Sequence, residues 1–271
     1  MDWPFVYCNG DSYSDQHYRH DLVGKTYAHF LAQRLHGFAM NKAKTGSCNQ
    51  RILRVSLHDL IQQKQLNSEQ PVVALLGLTY ELRSELWIDS DRDFDQPEES
   101  HFFRHQIAFD IAWHRDLLDG IFADKNLNQR LARRLGPGKK FLKSYQEGRA
   151  FFYSPYQERI TELMQIYLMI EWCKQHDINL LIFSAAPPFD TLQTEYLKDF
   201  FLSTIESRHV LDLETFSMCH WCRSQGFRPY ESDTNIDNGH YGPDAHEAFA
   251  SFLFEELEQR DLLKGITCPN T

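Results

Sequence analysis

The 271-residue chain is 42% hydrophobic and 14% aromatic, which is enough for one large folded domain and excludes wholesale disorder. A formal net charge of -10 argues against nucleic acid as the main partner, because phosphate binding needs clustered cations. No apolar run reaches membrane-spanning length, and Met1-Asp2-Trp3-Pro4 lacks a basic region followed by an apolar stretch; no membrane span, no signal peptide and a cytoplasmic location are therefore expected.

A short apolar run, Phe5-Val6-Tyr7-Cys8, reads as a first strand whose exit carries Gly10-Asp11-Ser12. Residues 25–35 place Tyr27, Phe30, Leu31 and Leu35 at helical spacing, and Gly37 is expected to stop that helix. A short strand over 38–41 leads to the loop at Gly46, and Ile52, Val55, Leu57, Leu60 and Ile61 predict a second helix from 49 to about 65. The run over 71–76 is apolar on both faces, as central parallel strands are. A long amphipathic helix over 156–175, a buried strand over 178–183 closed by Pro187-Pro188, a shorter fifth strand over 209–213 and a last helix over 244–259 complete the alternation. That alternation predicts a parallel sheet with helices on both faces, in one domain over 1–271.

Residues 84–155 break the pattern and read as an insertion after the third strand, partly helical near 102–122. Loops after strand ends border the crevice of an open sheet, so a lid or substrate wall is expected there. A solvated helical excursion or a subunit contact is the plainer alternative. The acidic positions between 89 and 99 read as a solvated loop, without the ordered oxygen spacing of a calcium loop.

The carboxyl ends of parallel strands line one edge of the sheet. Gly10-Asp11-Ser12, Gly46-Ser47-Cys48-Asn49 and Asp237-Asn238-Gly239-His240 would all be delivered there. A serine hydroxyl attacks only when an imidazole removes its proton, and a carboxylate commonly holds that imidazole in one tautomer. Asp237, three residues before His240, can supply that carboxylate from the same loop. The backbone N–H groups of Ser12 and Gly46 are the natural donors to a developing oxyanion.

On these residues the chain resembles the GDSL/SGNH hydrolase family. Gly10-Asp11-Ser12 matches the nucleophile block, Gly46 the glycine block and Asp237-x-x-His240 the block before the terminal helix. The resemblance implies a three-layer α/β/α, flavodoxin-like domain of about five parallel strands. Ser12 would be the nucleophile, His240 the general base and Asp237 its orienting partner. It implies hydrolysis of acyl esters through an acyl-enzyme, with no metal or organic cofactor. The aromatic and polar residues of the insertion favour a carbohydrate-linked acyl group over a long lipid chain. The family's third block, Gly-x-Asn-Asp, here reads Gly77-Leu78-Thr79-Tyr80-Glu81, with Thr79 at the position whose asparagine donates to the oxyanion. Its hydroxyl would donate in that place, and Asn49 would offer a substitute amide.

Other readings of the same residues stay open. Thr79 motivates a weak or inactive member that serves as a binding or assembly module, and a sugar O-acyltransferase would use the same serine. Ser12 could simply cap a turn in which Asp11 satisfies backbone donors or contacts substrate. Arg83 would hold a substrate carboxylate or sugar hydroxyl, or else pair with Glu81 or Glu85 at the surface. His246 reads as a surface or capping residue rather than a second base. Cys219-His220-Trp221-Cys222 has redox or zinc spacing, yet no second pair completes a metal site, and buried thiols are the expectation.

Overall fold

The computed structural model describes residues 3–45, 47–79, 83–87, 106–110, 155–186, 205, 207–231, 239–264 and 266. In chain order these form β1 (Phe5–Asn9), α1 (Tyr27–Arg34), β2 (Phe38–Asn41), α2 (Asn49–Leu66), β3 (Val72–Leu78), β4 (Arg83–Trp87), β5 (Gln106–Asp110), α3 (Pro155–Gln175), β6 (Ile178–Ser184), α4 (Met218–Ser224) and α5 (Pro243–Gln259). Strands β2-β1-β3-β6 make one parallel sheet in that order. The reversal of direction at β1 and β3 is the switch point where doubly wound sheets open a crevice.

The period-two alternation of the strands sorts their side chains into two cores. Val6 and Cys8 of β1, Val73 and Leu75 of β3, and Leu181 and Phe183 of β6 face a layer made by α1, α4 and α5. Phe5 and Tyr7, then Ala74 and Leu76, then Leu180 and Ile182 face the opposite layer of α2 and α3. The chain is thus a three-layer α/β/α fold. Every residue of β3 is buried. Each such Val or Leu contributes on the order of 1.5–3 kcal/mol, which is why the central strands are the stiffest platform for a site at their ends.

Three expectations are corrected here. The fifth strand reduces to a single parallel bridge between Ile182 and Val210. Residues Ser207–His209 form a 3-10 turn, and Asp212 then bends the chain away. Its carboxylate accepts from the Glu214 and Thr215 amides and from the Thr215 hydroxyl at 2.9, 3.4 and 2.6 Å. Within the stretch expected to be helical near 102–122, β5 instead pairs antiparallel with β4, Leu86 opposite Ile107 and Ser84 opposite Phe109. Ile107 and Phe109 alternate with Gln106 and Asp110, a strand period. The remaining residues of 88–105 and 111–154, the acidic run and Pro187-Pro188 lie outside the described residues. Finally, α1 ends with His36, not Gly37, in the left-handed region (φ 53°). Its N–H reaches Gln33 O and that of Gly37 reaches Ala32 O at 3.1 and 2.8 Å, a Schellman closure.

Among the described residues no helix is long and apolar enough to cross a membrane.

Candidate active site

The turn after β1 is fixed before any partner arrives. The Ser14 amide donates to the Asp11 carbonyl at 3.1 Å, and the Tyr13 amide donates to Asp11 Oδ1 at 3.1 Å. A methyl group on Gly10 would come within 2.5 Å of Ser14 Oγ and 3.0 Å of the Gly77 carbonyl oxygen, so only glycine lets this turn lie against the end of β3. From Cys8 the hydroxyl chain Tyr27–Ser14 runs beneath the turn, with the thiol donating to Tyr27 Oη at 3.2 Å and Tyr27 donating to Ser14 Oγ at 2.7 Å. Burial pushes the Cys8 thiol up to about 12, so it stays protonated and serves as a donor, not a nucleophile.

Ser12 is 6% exposed, and its Oγ lies 2.7 Å from His240 Nε2. The two residues are 228 positions apart in the chain. His240 is brought there by a backbone arrangement around its own loop. A methyl group on Gly239 would overlap Pro229 Cβ at 2.2 Å, and the Tyr230 amide donates to the His240 carbonyl at 2.9 Å. The segment after α4 therefore presses the Gly239-His240 backbone toward the β1 turn. On both faces of the imidazole stand aromatic rings: Tyr13 at 4.5 Å and 17°, Tyr18 at 4.0 Å and 25°.

Asp237 and Gly46 lie outside the described residues. Asp11, Thr79 and Asn49 are described, and each has hydrogen-bond partners within the protein. Asp11 is fully buried, and the Thr79 hydroxyl donates to its Oδ2. A carboxylate so enclosed holds the turn, and it accepts the hydrogen bond of the Thr79 hydroxyl. Asn49, 1% exposed, accepts the Thr79 amide at 2.7 Å and donates to the Thr79 carbonyl and to Glu162 Oε1, both at 3.2 Å. Its amide clamps the turn after β3 to the start of α2 and has no N–H left for a ligand. Arg83 opens β4 opposite Asp110; its side chain lies outside the described part of the structure.

Asp15 does related work at the neighbouring loop. It accepts from the Thr45 amide and hydroxyl, both at 2.8 Å, and from the His17 amide at 2.7 Å, tying the chain before Gly46 to the nucleophile turn. Asp15, Tyr13, Tyr18 and Pro229 are not singled out by sequence reasoning. For Asp15, Tyr13 and Tyr18 the available signal is closeness in sequence to Ser12; Pro229, ten residues before Gly239, carries none.

His246 is buried, not at the surface. It caps a neighbouring helix: its Nδ1 accepts the first amide of α1, that of Tyr27, at 3.3 Å. Burial, with the nearby His240 and His29 charges, lowers its pKa to about 3, so it is neutral and holds its tautomer. Cys219 and Cys222 are buried in α4 and form no disulfide, and burial raises the Cys222 thiol further. No group of three or more His, Cys, Asp or Glu among the described residues is arranged to hold a metal ion.

No family model and no curated protein matches the sequence. Among solved structures the chain is similar to a G-D-S-L family protein from Desulfitobacterium hafniense DCB-2 (10% identity, TM-score 0.43, covering 93% of this chain and 99% of that one). It is also similar to the psychrotrophic esterase EstA from Pseudoalteromonas sp. (10% identity, TM-score 0.44, 94% and 97% covered) and to TesA (12% identity, TM-score 0.40, 97% and 99% covered).

Proposed function

We propose that the protein is a serine ester hydrolase of the SGNH type. The observation that carries the reading is the 2.7 Å contact between Ser12 Oγ and His240 Nε2, at the carboxyl edge of the parallel sheet. Ser12 Oγ attacks the ester carbonyl carbon while His240 Nε2 takes its proton. The carbonyl oxygen becomes an oxyanion, and the C–O bond to the alcohol then breaks as His240 returns the proton to the departing oxygen. Water repeats the sequence on the acyl-enzyme, losing a proton to His240 and releasing the acid and Ser12. Asp237, placed three residues upstream, is the proposed orienting carboxylate.

With the Thr79 hydroxyl turned to Asp11, the oxyanion donors are backbone amides: that of Ser12 and that of Gly46 in the loop Asp15 ties down. One well-aimed donor lowers the barrier by roughly 3–4 kcal/mol. An acylated carbohydrate or another small acyl ester is the proposed substrate class, from the aromatic and polar character of residues 84–155.

A fluorophosphonate probe tests the reading. Covalent labelling is expected at Ser12 and is lost in Ser12→Ala, together with turnover of p-nitrophenyl acetate. Labelling at a different serine, or turnover that survives Ser12→Ala, refutes it.

A further inference from the structure

We propose that Tyr13 and Tyr18 are positioning residues for the base, two walls of an aromatic slot that holds the plane of the His240 imidazole on the Ser12 hydroxyl; the inference rests on the serine–histidine reading above. A histidine side chain can swing about its Cα–Cβ bond and tilt about its Cβ–Cγ bond, and a combined swing of a few tens of degrees carries Nε2 off the serine oxygen. Rings at 4.5 Å and 4.0 Å, inclined only 17° and 25° to the imidazole, block that rotation, because turning would drive the imidazole edge into a tyrosine face. The same two faces are electron-rich. They favour the positive charge that His240 carries once it has taken the serine proton, so the stack is stronger in the transition state than in the resting enzyme.

The walls are themselves anchored. Tyr13 is 3% exposed and belongs to the core against α1 and α5. The Tyr18 amide donates to the Asp15 carbonyl at 3.2 Å, and Asp15 is in turn bound to Thr45 and His17. Next in the chain, the Arg19 guanidinium stacks on Tyr230 at 4.1 Å, and it is the Tyr230 amide that holds the His240 carbonyl. Residues 12–19 thus supply the nucleophile, both walls and a tie to the residue that fixes the backbone of the base. His240 enters a slot built almost wholly by the segment it serves. Neither tyrosine hydroxyl takes part in the stacking, so a phenyl ring is an adequate wall and an aliphatic side chain is not.

Tyr18, half-buried and outside the packed core, carries the test. Wild type, Tyr18→Phe and Tyr18→Leu are compared for fluorophosphonate labelling of Ser12 across probe concentrations, with thermal melts to verify folding. The Phe variant is expected to label within twofold of wild type. In the Leu variant the limiting rate is expected to fall about tenfold or more, with the half-saturating probe concentration unchanged. A mere packing role would lower the melting temperature and leave the limiting rate alone, and a wild-type limiting rate in a folded Tyr18→Leu overturns the inference. Carbethoxylation of His240 by diethylpyrocarbonate, followed by peptide mass, reads the slot without any catalysis. It is expected to be several-fold faster in Tyr18→Leu, and equal rates overturn the slot even if Ser12 should prove not to be labelled. Absent labelling of wild-type Ser12 would instead refute the hydrolase reading.

Discussion

Ser12 and Thr79 are both hydroxyl residues in turns leaving adjacent parallel strands, β1 and β3, at one edge of the sheet. Ser12 Oγ meets an imidazole nitrogen at 2.7 Å, whereas the Thr79 hydroxyl donates to the buried Asp11 carboxylate. An imidazole can take a proton during attack and give it back, and on the proposed reading the first hydroxyl is the one that reacts. A carboxylate enclosed in protein only accepts, and the second hydroxyl is locked as structure. Each turn is also tied differently: the first by Asp11 to its own backbone, the second by Asn49 to α2. On that reading the acceptor a hydroxyl finds, not its place in the sheet, decides its chemistry.

The largest expected effect removes the acceptor that distinguishes Ser12. His240→Ala should lower kcat by roughly 10^4- to 10^6-fold, as loss of a serine's base does elsewhere, with little change in melting temperature. Steady-state kinetics on p-nitrophenyl acetate check this, and a loss under tenfold would erase the contrast between the two hydroxyls. Thr79→Val keeps the shape and deletes the donor to Asp11. It should cost about 1.5–3 kcal/mol in urea unfolding, the range for a hydrogen bond to a charged group, while Ser12 remains reactive to fluorophosphonate. Unchanged stability with labelling abolished would mean that Thr79 serves the reaction after all.

The smallest effect concerns a second histidine near the same site. His246 has a folded pKa near 3, below the unfolded value near 6.5. Between those values the unfolded chain binds a proton that the folded one refuses. The stability tied to neutral His246 is therefore present above pH 6.5 and is lost as pH falls toward 3, by about 1.4 kcal/mol per pH unit. Urea melts from pH 6.5 to 4 should show a shallower decline for His246→Asn, which keeps an acceptor for the Tyr27 amide. Parallel profiles would contradict a buried neutral ring.

Much of the fold is readable in the residues because its signals are local. Period-two and period-3.6 apolar patterns give β1, β2, β3 and β6 and the helices α1, α2, α3 and α5 within a few residues of their observed bounds. Where a local signal competed with a tertiary or side-chain contact, the reading slipped. Asp212 ends a would-be strand with a side-chain turn, His36 takes the left-handed turn expected of Gly37, and β5 finds an antiparallel partner in β4. For His246, read as a surface or capping residue, the capping is real but serves the neighbouring α1, and the ring is buried rather than at the surface.

Residue order alone places the chemical groups at the strand exits: a serine after β1, a threonine after β3 and a histidine just before α5. Long-range packing is what sets Ser12 against His240, gives Thr79 and Asn49 partners within the scaffold and encloses the imidazole between two tyrosines. The reason is one of range. Backbone conformation answers to neighbours a few residues away, but a hydroxyl's partner depends on how whole layers pack, and that brings together side chains as far apart as Ser12 and His240.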